Sequence, residues 1–333
     1  MEQKFIEELK TLKIRIDKEI KSFFSETRTT KKGLLKEFVL NGGKRLRPII
    51  MLKAYEGYGG KKDILQESIS IELLHNSTLI HDDVMDEDEI RRGKPTVYKT
   101  IKDTITEKKY KGSLFNKKSS RIAVSDAIIL GNILYSLGGT CLKGKSLEIY
   151  NQSYIKVNEG QYYDLLFESE MPLEEEYLKM IELKSCAIVK AAAEIGAKYA
   201  NASEENIVEL KKYINDMIIG FQIHDDLMDI NPEMNKGHKI GSDIRQGKRT
   251  LLVIKALELG SVKNRKIIEK SLGTKRVNKA IKALYYTGAV QYCTDLAEKK
   301  IKSSKKHLSK AGLNKETEEF FSNLADFVIN REN

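Results

Sequence analysis

Two near-identical heptapeptides carry the clearest chemical signal in the chain. Ile80-His81-Asp82-Asp83-Val84-Met85-Asp86 returns as Ile223-His224-Asp225-Asp226-Leu227-Met228-Asp229, changed at one position. Each copy follows an apolar stretch with helical spacing, and residues four apart on a helix share a face. Asp82 and Asp86 are therefore expected to point together, and so are Asp225 and Asp229. Clustered carboxylates repel one another unless a cation neutralises them. Two such clusters facing each other make an oxygen-rich cage for Mg²⁺, which keeps several waters and completes its shell from carboxylates and a substrate phosphate. One Asp-Asp-x-x-Asp alone fits a solvated helix end, and short motifs match by chance. A solvated face does not account for two copies with Ile, Val or Leu, and Met between the acids.

A cage of this kind holds an anion through its metal, and the anion needs cationic side chains as well. Gly42-Gly43-Lys44-Arg45-Leu46-Arg47-Pro48 places three cations at a helix start, where backbone N–H groups also favour anions. Arg91 and Arg92 follow the first motif, and Lys239 and Lys248 follow the second. Arginine suits two-pronged contact with phosphate. Taken singly, each is an ordinary surface cation; their placement around both acidic motifs points to a phosphate site.

The elements that must position these groups read as long helices. Prolines number four, and Leu, Ile, Lys, Glu and Ala are abundant, a composition that favours helix. Phe5, Leu9, Leu12, Ile16 and Ile20 recur at helical steps over 1–26. A second helix over about 31–41 stops at Gly42-Gly43, and Pro48 suits the first turn of the next. Residues 63–85 carry the first motif. Arg91-Arg92-Gly93-Lys94-Pro95 breaks the pattern, and the Lys-rich stretch 102–120 reads as a loop or frayed helix ends. Helices resume at 121–143, 146–168, 174–199, 203–230 and 247–259, with amphipathic packing helices beyond 262. Residues 231–247, with Pro232, Gly237, Gly241 and Gly247, read as a loop beside the second motif. The expected fold is all-α, one large domain over 1–333.

The chain carries a formal net charge of +10. Its excess Lys lies in runs such as 108–118, where Tyr110 and Phe115 are the only aromatics, and 299–310, which has none. Neither alternates basic residues with aromatics as a single-strand nucleic-acid surface does. They read as solvated surface, with no nucleic-acid partner. Cys141, Cys186 and Cys293 are far apart and form no ligand pair; they read as reduced thiols of a cytoplasmic protein. The N-terminal stretch has no apolar signal-peptide core. No run is expected to be long enough to span a bilayer, and stable membrane insertion is not expected.

Taken in order, Gly-Gly-Lys44-Arg-Leu-Arg47-Pro, Glu72-Leu-Leu-His75, the first Asp motif, Arg91-Arg92-Gly-Lys-Pro-Thr96, Gly160-Gln161-Tyr-Tyr-Asp164, Gly220-Phe-Gln222 leading into the second motif, and Lys239-Ile-Gly-Ser-Asp243 with Gly247-Lys248 resemble the trans-type polyprenyl diphosphate synthases. The character is nearest to the geranylgeranyl diphosphate synthases. Spacing is kept over roughly residues 40–255, and Val328-Ile-Asn-Arg331 resembles the family's chain end. The resemblance implies a bundle of long, mostly antiparallel helices around a central cavity, usually as a homodimer. It implies head-to-tail addition of isopentenyl diphosphate to an allylic diphosphate (dimethylallyl, geranyl or farnesyl). Carried over by position, Asp82, Asp86 and Asp225 hold Mg²⁺, with Asp229 nearby. Arg91, Lys184, Gln222, Lys239 and Lys248 hold the allylic diphosphate, with Ser185 where the family usually has Thr. Lys44, Arg47, His75 and Arg92 hold isopentenyl diphosphate.

The implied chemistry makes an allylic cation, which water would quench, so the space below the metals must be dry. Gln161 and Asp164 are candidates to stabilise the developing positive charge. In the family, bulky residues four and five places before the first Asp stop the growing tail. Here they are Thr78 and Ser77, both small. Leu74 and Ile71 lie about 12–16 Å below Asp82 on an ideal helix; these, or residues of a neighbouring helix, are left to set the limit. A C20 product is expected, with a longer chain as the alternative. Three rival readings fit the residues less well. Glu72-x-x-His75 has the di-iron spacing, but no second Glu-x-x-His exists. A terpene cyclase needs neither Lys44 and Arg47 nor two intact Asp motifs. A regulatory subunit would be expected to have lost acids or arginines, and none is missing.

Overall fold

The computed structural model describes residues 2–106, 112–231 and 240–329. Lys239, Arg331 and Lys108-Lys109 fall outside the described residues, as does most of the expected loop after the second motif.

Two long helices carry the acidic motifs at their ends. α4 (Leu65–Met85) buries Ser68, Ile69, Ser70, Ile71, Leu73, Leu74, Asn76 and Ser77 in one run. A helix buried all round sits inside its bundle rather than on the surface, and α4 is enclosed by its neighbours. α1 (Glu2–Glu26), α2 (Lys32–Leu40), α3 (Leu46–Gly57), α5 (Val97–Thr104), α6 (Lys118–Gly139), α7 (Lys145–Leu166) and α9 (Ala187–Tyr199) all pack against it. α10 (Glu204–Ile230) carries the second motif. Its first amide groups are capped by Ser203, whose hydroxyl accepts from Asn206 N at 3.3 Å. The long α15 (Ala289–Leu308) lies along it.

One apolar cluster joins α1 to α4, α6, α7, α9, the first half of α10 and α16 (Lys315–Ile329). A second joins α8 (Glu174–Ile181), the end of α10, α12 (Leu251–Leu259), α13 (Val262–Glu269), α14 (Val277–Tyr286) and α15. Ile218 of α10 packs against both. The three thiols are free, and burial pushes each of them up to about 12.

The chain is all-α as expected, apart from one small hairpin. β1 (Ile90–Arg91) and β2 (Lys94–Pro95) pair antiparallel, Ile90 opposite Pro95. Arg92 and Gly93 between them both have positive φ, the two-residue turn that suits the twist of paired strands. α5 lies partly where a loop was expected. Its eight residues bury only Val97, Tyr98 and Ile101, and the Lys-rich context hid that short stripe. Ser242–Gln246, expected as loop, forms the short helix α11.

The expectation that no run could span a bilayer is corrected. α6 is long and apolar enough by length and composition. It behaves here as a two-faced packing helix: Ala123, Ala127, Leu130 and Leu134 are buried, and its Asp126 pairs with Lys31.

Candidate active site

α4 ends where its acids begin to matter. The Asp86 amide closes the last turn onto the Asp82 carbonyl at 2.8 Å, and the Asp86 side chain lines the cavity at this helix end. The Asp82 carboxylate accepts from Arg91 Nη2 at 2.9 Å and faces Lys184 Nζ at 3.5 Å. Asp83 turns inward and is paired with Arg91 Nε. The hairpin therefore returns Arg91 onto the motif that precedes it.

Asp86 from the first motif and Asp225 and Asp226 from the second line one cavity, with Asp164, Lys184, Asp243 and Lys248. Its volume is about 1240 Å³, open mouth included. Lys248 reports on both ends at once. Burial opposes its charge, but Asp243, Asp164, Asp86 and Asp82 together raise its pKa. The two acidic helix ends thus face a common space. Asp86 is pushed up to about 6, by burial first and then by Asp82. Asp243 is also pushed up to about 6, by burial, with Lys248 opposing and Asp229 and Asp225 adding. Burial holds Asp226 well above the usual carboxylate range and Asp243 adds to it, while the hydrogen bond donated by Tyr177 Oη at 2.8 Å opposes the rise.

These acids fit Mg²⁺. Carboxylates whose protons are held this tightly are short of positive charge, and Lys184, Arg91 and Lys248 supply only part of it. Nowhere among the described residues do three His, Cys, Asp or Glu side chains gather into a ready-made ion cage. Mg²⁺ is commonly bound through one or two carboxylates plus substrate phosphates, and the acids lining this cavity can supply the carboxylates.

Asp229 does not share the outlook of Asp225. Its Oδ1 accepts from Ser242 N at 2.9 Å and Ser242 Oγ at 2.7 Å, and its Oδ2 from Asp243 N at 3.1 Å. Both oxygens serve the start of α11. The spacing argument placed the two acids on one face; the returning chain takes up the second. Asp229 anchors the segment that delivers Asp243 and Lys248. Tyr177 is not signalled by the sequence, and Asp243 enters there only as part of a motif without a role, because their partners come from elements distant along the chain.

The expected helix over 174–199 is interrupted by a π-helical turn, Glu182–Cys186, between α8 and α9. Such turns inside α-helices recur at functional sites. This one presents Lys184 and Ser185, adjacent in sequence, to the same cavities. Lys184 Nζ reaches Asp164 on α7 at 2.5 Å. Gly160 permits the approach: a Cβ there would lie 2.3 Å from Lys184 N.

On the other side of Asp82 is a second group of cations. Arg47 is half-buried, and its Nε is buried with no hydrogen-bond partner. Burial lowers its pKa to about 10, Glu72 opposes, and Arg92 adds to the fall. His75 is driven well below its ordinary value by burial and then by Arg47, Arg92, Arg91 and Arg45. Lys44 Nζ lies 5.0 Å from the Phe327 ring centroid. Arg92 Nη1 donates to Asn41 O at 3.1 Å. Glu72, the acid of the di-iron spacing, is paired with Arg45 and Asn76, so it is not poised as a ligand.

Between these groups an apolar shaft of about 890 Å³, mouth included, runs from Asp82, Lys184 and Gln222 past Arg47 and His75. Val157, Ile188, Val189, Ile218 and Phe221 form its walls. Gln161 lines it, with Nε2 buried and unpaired. Thr78 faces it; Ser77 does not, being buried with its hydroxyl on Leu74 O at 2.8 Å. Leu74 and Ile71 are enclosed in the main core and line no part of the shaft. That leaves the neighbouring-helix alternative, with the apolar walls supplied by α7, α9 and α10.

Acid should weaken ion binding. Both Asp86 and Asp243 have folded pKa values raised above 3.8 to about 6. Between pH 4 and 6 the folded chain holds protons there that the unfolded chain does not, so these two groups stabilise the metal-free fold as pH falls through 6. Mg²⁺ must displace those protons. The rise in Tm on adding Mg²⁺ with inorganic pyrophosphate is expected to shrink from pH 7.5 to pH 5.5, read by thermal melts. An undiminished rise would show that these acids do not meet the ion.

A profile of the polyprenyl synthetase family matches residues 30–287. The chain is 32% identical over 341 residues to a geranylgeranyl diphosphate synthase of Methanosarcina mazei, covering 98% of each. It is 34% identical over 299 residues to that of Sulfolobus acidocaldarius, covering 87% of this chain and 88% of the relative. The crystal structure of a geranylgeranyl pyrophosphate synthetase from Pyrococcus horikoshii Ot3 superposes with a TM-score of 0.83 at 30% identity, covering 99% of each chain.

Proposed function

This chain belongs to the polyprenyl synthetase family and is a trans-prenyltransferase, and on that premise we propose that it joins isopentenyl diphosphate head-to-tail to an allylic diphosphate and releases geranylgeranyl diphosphate. The observation that carries the reading is the shared cavity. Acids of both motifs, Lys184 and Lys248 meet at the mouth of an apolar shaft.

Asp82, Asp86 and Asp225 hold Mg²⁺, which when bound supplies positive charge to the departing diphosphate oxygens. Arg91, Lys184, Gln222 and Lys248 grip the same diphosphate, and Ser185 offers a hydroxyl beside it. Lys239 joins this set on resemblance alone. Lys44, Arg47, His75 and Arg92 receive isopentenyl diphosphate, His75 as a hydrogen-bonding group. As the allylic C–O bond breaks, the double bond of isopentenyl diphosphate attacks the cation, and the departed diphosphate takes the proton that is lost. Val157, Ile188, Val189 and Phe221 exclude water while the cation exists, and the Gln161 amide lies where its carbonyl dipole can stabilise it.

The relatives named for geranylgeranyl diphosphate support a C20 product, as does the small Thr78 on the shaft. A Thr78→Phe variant is expected to shift products to C15 or shorter. Ser77→Phe should leave product length alone and cost stability by about 1–3 kcal/mol through overpacking. Chromatography of dephosphorylated products and a thermal melt separate the two. Equal shortening by both would contradict the assigned faces.

A homodimer is supported by the exposed apolar side chains Ile128 and Ile129 on α6 and Ile155 and Tyr162 on α7; light scattering on the purified protein tests it. We read 1–333 as one domain because Ile218 joins both apolar clusters. The three free thiols, reduced as in a cytoplasmic protein, support a cytoplasmic reading.

The deciding experiment incubates pure protein with Mg²⁺, labelled isopentenyl diphosphate, and dimethylallyl, geranyl or farnesyl diphosphate in turn. C20 product is expected. No incorporation with any primer would overturn the reaction, and a ladder ending beyond C20 would overturn the product.

A further inference from the structure

We infer that Arg45 is a positioning residue: by occupying both Glu72 and Asp17 it shields Arg47 from capture and leaves it free for the diphosphate of isopentenyl diphosphate. The inference rests on the function proposed above and adds a residue that touches no substrate.

Arg45 sits between Lys44 and Arg47 but points elsewhere. Its backbone is left-handed, with φ of 56° at the cap of α3, a conformation that bulky residues adopt only when surroundings enforce it. The side chain is turned fully inward, with 0% of it exposed. Nε donates to Asp17 Oδ1 on α1 at 2.7 Å, and Nη1 to Glu72 Oε1 on α4 at 2.6 Å. A planar guanidinium bridges two carboxylates in a way that lysine cannot. Arg45 Nη1 and Arg92 Nη1 both lie 3.2 Å from where a Cβ of Gly43 would stand. The glycine thus lets two guanidiniums approach one point of backbone.

Glu72 is the hazard in this arrangement. It is 3% exposed, and its charge reaches Arg47, Arg45 and Arg92. A buried carboxylate without a partner is costly and pairs with whatever cation is at hand. Arg47 is at hand, half-buried and with its Nε buried and unpartnered. If Glu72 bound it, the arginine would be neutralised and turned from the shaft. Arg45 prevents this by satisfying Glu72 first, and Asp17 balances the charge that Arg45 brings.

The test is steady-state kinetics of the full-length enzyme with Mg²⁺, isopentenyl diphosphate and farnesyl diphosphate. Turnover by the unaltered enzyme is read first, and its absence would strike the prenyltransferase reading rather than this one. Arg45→Met is expected to raise KM for isopentenyl diphosphate by about tenfold or more, the scale of a charged hydrogen bond, with KM for farnesyl diphosphate unchanged. Arg45→Met/Glu72→Gln should recover most of the loss, because the competitor is gone. Glu72→Gln alone should leave KM for isopentenyl diphosphate unchanged or lower it. A merely structural role predicts no recovery in the double variant. No recovery, or a raised KM in Glu72→Gln alone, overturns the inference. If Arg45→Met does not fold, Glu72→Gln and the double variant still decide it.

Discussion

Replacing Asp225 with alanine lowers kcat by roughly a thousandfold, about 4 kcal/mol of lost transition-state stabilisation, while Asp229→Ala, four residues on, loses far less. The two acids look equivalent in sequence, and the structure gives them different work. Asp225 lines the cavity shared with Asp86, Lys184 and Lys248. Asp229 spends both oxygens on Ser242 and Asp243 at the start of α11. Its removal should cost stability of about 1 kcal/mol, the scale of a lost helix cap, and reduce activity through a loosened Asp243–Lys248 segment. Asp82→Ala belongs with Asp225→Ala. In addition it frees Arg91 Nη2 and Lys184 from their carboxylate partner. Neither large effect should come from unfolding, because removing one of several facing carboxylates relieves repulsion. Single-turnover rates at saturating Mg²⁺, with melts as control, check this. Equal kcat losses for Asp225→Ala and Asp229→Ala would contradict the division of roles.

That contrast also shows how far the residues alone could be read. A helix of period 3.6 fixes which side chains share a face, so the placement of Asp82 beside Asp86 and the course of α4 and α10 were accessible from spacing. What meets that face depends on chain returning from elsewhere. Asp229 is claimed by residues 13 and 14 positions later. Arg45 looked like one of three substrate cations, but α1 and α4 bring Asp17 and Glu72 to it across 28 and 27 residues. Leu74 and Ile71 were plausible shaft residues by depth, and failed because α4 is enclosed by packed helices. The π turn at Glu182–Cys186 left no mark on apolar periodicity. One extra residue in a turn shifts register only locally, and α9 resumes its own buried stripe immediately after.

The π turn nevertheless has a sequence witness, Gly160, and it yields the second large effect. In isolation, Gly160→Ala on α7 should stabilise the helix by about 1 kcal/mol, since alanine is the better helix former. The tertiary contact reverses the sign. The added Cβ would stand 2.3 Å from Lys184 N, 2.7 Å from its Cα and 2.8 Å from its Cβ. Two of these are backbone atoms, which no side-chain rotation can move away. The π turn must retreat from α7, at an overpacking cost of about 1–3 kcal/mol. Lys184 and Ser185 ride on that turn, and Asp164, one helical turn beyond Gly160, holds Lys184 at 2.5 Å. A displacement of roughly 1 Å at a positioning group can cost about a hundredfold in rate. Gly160→Ala is therefore expected to lower both Tm and kcat, the latter by about two orders of magnitude. Lys184→Ala gives the ceiling on the loss that passes through this lysine. A Gly160→Ala enzyme with raised Tm and unchanged kcat would mean that the turn yields freely, and that its close seating against α7 does not hold Lys184 at the diphosphate.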